Sequence, residues 1–149
     1  MTNDQAPMTK GCRVDRQGDV VGDDTADRPA KERTFDLVER TAVFGESVIR
    51  FSRTVKRDPV TMPLISQVVR SATSVGANYV EADESGSKRE FKYRISVCRR
   101  ETKETQHWLR MIVAAAPETK DGARGMWQEA AELIRIFETI HRKVSVPPR

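Results

Sequence analysis

From residue 37 onward the apolar positions recur at steps of three and four. Leu37, Thr41, Phe44, Val48, Phe51 and Val55 form the first file, the spacing of one face of an α-helix. Thr34 stands where an N-cap belongs, and Asp58-Pro59 breaks the pattern. A second helix is predicted from near Thr61, with Pro63 in the first turn, where its missing N–H is not needed. Its seam is Leu64, Val68, Ser71, Val75, Asn78 and Ala82, and the ESGS stretch ends it. Ser87-Lys-Arg-Glu90 reads as a capping box. A third seam follows through Phe91, Ile95, Cys98, Thr102, Thr105, Leu109 and Ile112. A loop containing Asp121 and Gly122 then leads to a fourth, with Met126, Ala130, Leu133, Phe137, Ile140 and Val144. The predicted helices lie near 35–56, 62–84, 88–115 and 122–144, inside a domain of 33–146, with 147–149 as a tail. Connections this short place neighbours antiparallel. The fold class is therefore all-α, an up-down-up-down left-handed four-helix bundle.

The second helix carries a further apolar file: Ile65, Val69, Ala72, Gly76 and Tyr79. The third adds Val97, Trp108 and Met111 on a flank. A bundle monomer needs one stripe per helix, so two imply a second packed surface, most simply another copy of the chain. A wide core face with a half-exposed Trp108 is the alternative. Ala72 and Gly76 lie amid Ser71, Thr73 and Ser74, so a partner helix can approach closely there. A mid-helix glycine costs roughly 0.5–1 kcal/mol relative to alanine, which tight contact would offset. Asn78 either fixes register in the core or turns to the edge; the spacing leaves both open.

Composition adds limits. The chain has 149 residues, 32 % of them charged and 6 % aromatic, which suits one helical domain. Residues 1–32 hold five Lys/Arg against seven Asp/Glu and show no periodicity, so this polar, acidic leader is predicted to be disordered. No apolar run is long enough for a membrane span, and the N-terminus lacks a signal-peptide core. Cys12 and Cys98 have no CxxC partners, so a reduced, cytoplasmic protein without disulfides is expected.

The remaining residues carry 21 Lys/Arg against 15 Asp/Glu, and helix three concentrates the excess. Arg89, Lys92, Arg99, Lys103 and Arg110 share one side of it. Such a stripe can track a phosphate backbone of RNA or DNA, or it can be a solvated outer face. Neither a helix-turn-helix, an RNP motif nor a zinc signature is present, so any readout would be of backbone and shape. Glu104-x-x-His107 and Glu138-x-x-His141 repeat the spacing of di-iron bundle ligands, but both pairs fall off the predicted seams. Glu101 and Glu104 flank Trp108, and Arg70 is the expected cation for them. Cys98 on the seam reads as an apolar filler. No nucleophile, oxyanion donor or phosphate loop accompanies these groups. The expectation is a protein that is not an enzyme and has no cofactor or metal.

Two blocks carry a resemblance. Arg70, Ser71, Ala72, Ser74, Val75, Ala77, Asn78 and Glu81 form the first; Ser87, Lys88, Glu90 and Phe91, then Glu101, Glu104, Thr105, Trp108 and Leu109, form the second. In these the chain resembles the bacterial four helix bundle protein family, also called 23S rRNA intervening-sequence proteins and sometimes mislabelled ribosomal protein S23. That family is similar to the accessory protein of diversity-generating retroelements, a basic pentamer that binds nucleic acid. The resemblance implies a homopentamer. From the apolar files, flanks and charge spacing, Arg70, Ala72, Gly76, Asn78, Tyr79, Glu101, Glu104 and Trp108 are the expected packing or oligomer positions, and the five cations the expected nucleic-acid face. The expected function is a nucleic-acid-associated module, with a protein scaffold as the alternative and a di-metal oxidase as a remote one.

Overall fold

The computed structural model describes residues 36–149, together with Arg13–Val14 and Val20–Val21. The chain divides into two units, Met1–Asp36 and Leu37–Arg149. In the first, Arg13–Val14 (β1) and Val20–Val21 (β2) pair antiparallel, Arg13 opposite Val21 and Val14 opposite Val20. The rest of the leader expected to be disordered, and the Thr34 cap, lie outside the described residues.

The second unit is all helical: α1 (Leu37–Thr54), α2 (Thr61–Asp83), α3 (Lys88–Ala115), a 3-10 turn (Pro117–Thr119) and α4 (Lys120–Lys143). Four helices were expected. The loop placed at Asp121 and Gly122 is not there: both residues belong to the first turn of α4. Pro117 opens the 3-10 turn, so the reversal is completed before Lys120. Gly122 stays helical with its bare face towards α1, where an added Cβ would already touch the Phe51 ring at 3.5 Å.

A reciprocal cap sets the start of α2. The Asp58 carboxylate accepts from the Val60 and Thr61 amides at 2.8 and 2.9 Å, while Thr61 Oγ1 accepts from the Asp58 amide at 3.0 Å. The Met62 amide donates to the Asp58 carbonyl at 3.0 Å. Asp58 thus caps the turn that leads into α2, and Pro59 stands in that turn where its missing N–H is not needed. Those amide bonds hold the Asp58 carboxyl below its ordinary range.

The core is the set of four seams. Phe44, Val48, Val68, Val75, Ile95, Cys98, Leu109, Ile112, Leu133 and Phe137 are all at most 2 % exposed; fully burying a residue of this size stabilises by about 1.5–3 kcal/mol. Leu64, Phe91 and Ile140 are half-buried at the ends and pack on it. Thr105 donates to Ser71 Oγ at 2.9 Å and Ser71 to the Val68 carbonyl at 3.2 Å, so this buried hydroxyl pair joins α2 to α3 with no donor left over.

Contacts between helices run in falling order. Arg70 meets Glu104, Val75 meets Cys98 and Asn78 meets Arg94. On α3 and α4, Lys92 meets Val144 and Lys103 meets Glu138. Arg40 meets Glu129 and Glu132, while Phe51 meets Gly122. Neighbours α1 and α4 touch most lightly and leave a groove of about 510 Å³. There Arg40 forks onto Glu129 at 2.7 and 3.0 Å and reaches Glu132 at 2.7 Å, a bidentate pair with geometric specificity.

At two glycines α1 and α2 pack backbone to backbone. A Cβ built on Gly76 would meet the Thr41 carbonyl at 3.5 Å and the Ala42 amide at 3.6 Å; one built on Gly45 would meet the Ala72 carbonyl at 3.5 Å. The two glycines therefore let backbone approach backbone, within one chain. A methyl at Gly76 sits at ordinary van der Waals distance, and a longer side chain extended towards α1 meets its backbone. Gly76→Ala should leave the fold intact and raise stability by up to about 0.5–1 kcal/mol through helix propensity. Gly76→Leu should force α1 away and lower the urea midpoint well below wild type. Equal midpoints for the alanine and leucine variants would contradict this packing.

Candidate nucleic-acid interface

Ser87 starts α3: its extended backbone and Oγ, accepting from the Glu90 amide at 3.1 Å, satisfy one of the free donors of the first turn. The helix then runs 28 residues, about 42 Å at 1.5 Å per residue. Its five cations lie in one line along the flank that faces α4. Arg89 donates to the Pro147 carbonyl at 3.2 Å and Lys92 to the Val144 carbonyl at 3.1 Å. Lys103 pairs with Glu138 at 3.3 Å. Further along, Gln106 donates to the Trp127 carbonyl at 3.1 Å, and Arg110 is exposed beside Lys120 and Arg124.

Carbonyl partners orient Arg89 and Lys92 without neutralising them. Among the described residues only Lys103 of the stripe is matched by a carboxylate, and that pair is half-exposed, so it is worth little. His141 on α4 reports the field: partial burial first, then the charges of Lys92 and Arg99, push its pKa below the ordinary 6.5. What the arrangement can do chemically is attract and seat anions along the α3–α4 groove.

The α2–α3 flank holds the other named residues. Arg70 reaches Glu104 at 2.8 Å and Glu101 at 3.4 Å. Burial pushes the Glu101 carboxyl up, whereas the Arg70 hydrogen bond holds Glu104 down. The Trp108 indole N–H is buried without a hydrogen-bond partner; it lies near enough to Glu104 to add a small share to that lowering. Trp108 meets His107 edge-on, ring centres 4.9 Å apart. Asn78 turns to this edge, its amide donating to the Ser74 carbonyl at 2.9 Å and its Oδ1 accepting from Arg94 at 3.2 Å. Arg94 also pairs with Glu81. Tyr79 packs on Phe137, centres 6.2 Å apart, Ala72 is fully buried, and Gly76 lies on α1.

The two Glu-x-x-His motifs sit apart, one on each flank of α3. Glu104 is held by Arg70 and Glu138 by Lys103, and among the described residues no three His, Cys, Asp or Glu converge. The Cys98 thiol is fully buried and donates to the Val75 carbonyl at 3.5 Å; burial pushes its pKa up to about 12. No helix of the described residues is long and apolar enough to cross a membrane.

Residues 33–139 match the family model described as 23S rRNA-intervening sequence protein. The chain belongs to that family. A solved structure, a protein with unknown function from the S23 ribosomal protein family of Bacteroides thetaiotaomicron VPI-5482, aligns with TM-score 0.62 at 20 % identity. The alignment covers 71 % of this chain and 98 % of that one, and at that identity it speaks for the fold alone. No curated protein matches.

Some contacts of this family member escaped sequence reasoning. The Arg40–Glu129–Glu132 clamp joins residues nearly ninety positions apart, and no spacing rule connects them. The Asp58–Thr61 cap does have a local signal, Asp-Pro-x-Thr, which marks the start of α2 as well as the break before it.

The paired glutamates should behave differently. Glu104→Gln should cost about 0.2–1 kcal/mol at neutral pH, the range for exposed pairs, because Arg70 is 47 % exposed. Glu101→Gln should cost less, since its charge is opposed by burial and by Glu104. With its folded pKa below the ordinary 4.5, the Glu104 contribution is full above 4.5 and lost as pH falls through the lowered value. Urea unfolding at pH 7 and pH 3 reads both; equal losses for the two variants would refute the assignment.

Proposed function

We propose that this protein is a non-enzymatic, oligomeric helical-bundle protein of the cytoplasm that holds RNA or DNA by its phosphate backbone. The observation that carries the reading is the α3 stripe laid along α4, where, among the described residues, Lys103 has a carboxylate partner, Glu138, while Arg89 and Lys92 hold carbonyls. Side chains anchored on carbonyls fit regularly spaced charges, and the stripe itself has no aromatic to stack a base, so readout is of backbone and shape. No catalytic group, cofactor or metal enters this reading.

The proposal includes an antiparallel, left-handed bundle assembled into a homopentamer. The falling order of the interhelical contacts supports the antiparallel direction, and the resemblance supplies the number five. A groove of about 300 Å³ between α1 and α2, floored by Gly45 and Gly76 and edged by the exposed Val38, Ile49 and Val80, supports a surface for another copy. A protein scaffold is the second reading, favoured by that same groove.

Light scattering should give about five times the 16.9 kDa chain mass; a monomer at micromolar concentration would sink the assembly reading. With a short RNA duplex, Lys92→Glu and Arg99→Glu should each weaken binding about tenfold or more at low salt. Each should also flatten the log–log salt slope by roughly 0.9 per lost contact. Unchanged affinity in both variants would sink the stripe. His141 adds a pH signature. Phosphate near Lys92 and Arg99 raises its pKa from the lowered free value, so the complex takes up a proton. Affinity should climb as pH falls through the bound-state pKa, then level off below the free one. His141→Ala should remove that dependence; a flat profile in the unaltered protein would count against the site.

A further inference from the structure

Where α3 turns through Pro117–Thr119 into α4, Leu109, Val113 and Ala123 wall a cavity of about 240 Å³. Trp127 forms one side and remains 40 % exposed. Three cations stand around it, Arg110 from α3 and Lys120 and Arg124 from α4. Among the described residues Asp121 is the one carboxylate paired with any of them. It reaches Arg124 at 3.5 Å and is itself 93 % exposed, so water screens most of that attraction.

Two costs coincide at this corner. An apolar hollow with an open indole face is wetted, and like charges gathered at its rim repel one another. A ligand with a flat apolar body and an anionic group relieves both at once. The hollow is preformed, because the Gln106 bond to the Trp127 carbonyl at 3.1 Å pins α4 to α3 at that turn. Its volume is below the roughly 300–1,000 Å³ of small-molecule sites, so it holds one ring system with the remainder in solvent.

We propose that this cavity is a nucleoside-phosphate site, taking one base against Trp127 and its phosphate between Arg110 on one helix and Lys120 and Arg124 on the other. The site deepens the nucleic-acid reading and rests on it in one respect: Arg110 is also the last cation of the stripe, so the nucleotide is the 5′-phosphorylated end of a strand lying along α3. A base stacks on the face of an indole, and guanidinium forks match phosphate oxygens. One exposed indole makes a place for a single terminal base.

Trp127 fluorescence of the full chain supplies the readout. The probes are adenosine, AMP, and a short oligodeoxyadenylate with either a 5′-phosphate or a 5′-hydroxyl. AMP and the phosphorylated strand should quench, the strand more tightly; adenosine and the hydroxyl strand should bind about tenfold more weakly. AMP binding as tightly as the phosphorylated strand would overturn the strand-end assignment. Arg124→Glu and the milder Arg124→Gln should weaken the phosphorylated probes, about tenfold for the reversal, while Trp127→Phe should abolish the quench. Equal binding with and without the phosphate, or indifference to both Arg124 variants, would overturn the proposal. Duplex binding through Lys92 and Arg99 is measured separately. Loss there with the AMP quench intact would remove the stripe and leave the pocket; the reverse would remove the pocket alone.

Discussion

Backbone against backbone at Gly45 and Gly76 is the constraint from which the other surfaces follow. Because α1 lies so near the α2 main chain there that a single Cβ would fill the gap, turning a larger side chain of α2 to this face would push α1 away. With Ala72 and Gly76 turned to α1, Val68, Ser71 and Val75 must face the core. Arg70, Asn78 and Glu81 must then face α3. The small residues of this stretch are explained first by a contact inside the chain. The file they were grouped with, Ile65 and Val69, is half-buried and packs on the core edge.

Charge is distributed by helix pair. The α1–α4 edge closes through Arg40 on two glutamates, and the α2–α3 edge through Arg70 and Arg94. Both are locally balanced, with carboxylates matched to guanidinium groups whose planar forks favour such pairing. The α3–α4 edge differs: Arg89 and Lys92 hold carbonyls, and among the described residues Glu138 alone answers the stripe. Glu129 and Glu132 could have balanced this edge, but they lie on the side of α4 that Arg40 occupies. The uneven sharing of α4 carboxylates is what leaves a positive field beside His141.

Much of this was legible in the chain. A seam of threes and fours reports burial because helix geometry turns spacing into direction, so Phe44, Ile95 and Phe137 could be named as buried before any contact was known. Arg70 could be matched to Glu101 and Glu104 because positions at helical spacing on adjacent helices leave few partners. Asp121 and Gly122 misled because both are turn formers on average, and only the Phe51 ring against Gly122 shows why a helix runs through them.

By itself the sequence determined which face of each helix is apolar, where Ser87 begins α3, and that five cations share one side of it. Those are local properties, set by period and by hydrogen bonding within a turn or two. Only the tertiary structure decided which neighbour each face meets. It laid the stripe along α4 rather than open water, set Gly76 on α1, turned Asn78 to Arg94, and gathered Arg110, Lys120 and Arg124 around Trp127. Spacing fixes a direction about a helix axis, but the azimuth of the neighbouring helix is chosen by packing across the whole bundle, and no window of sequence contains it.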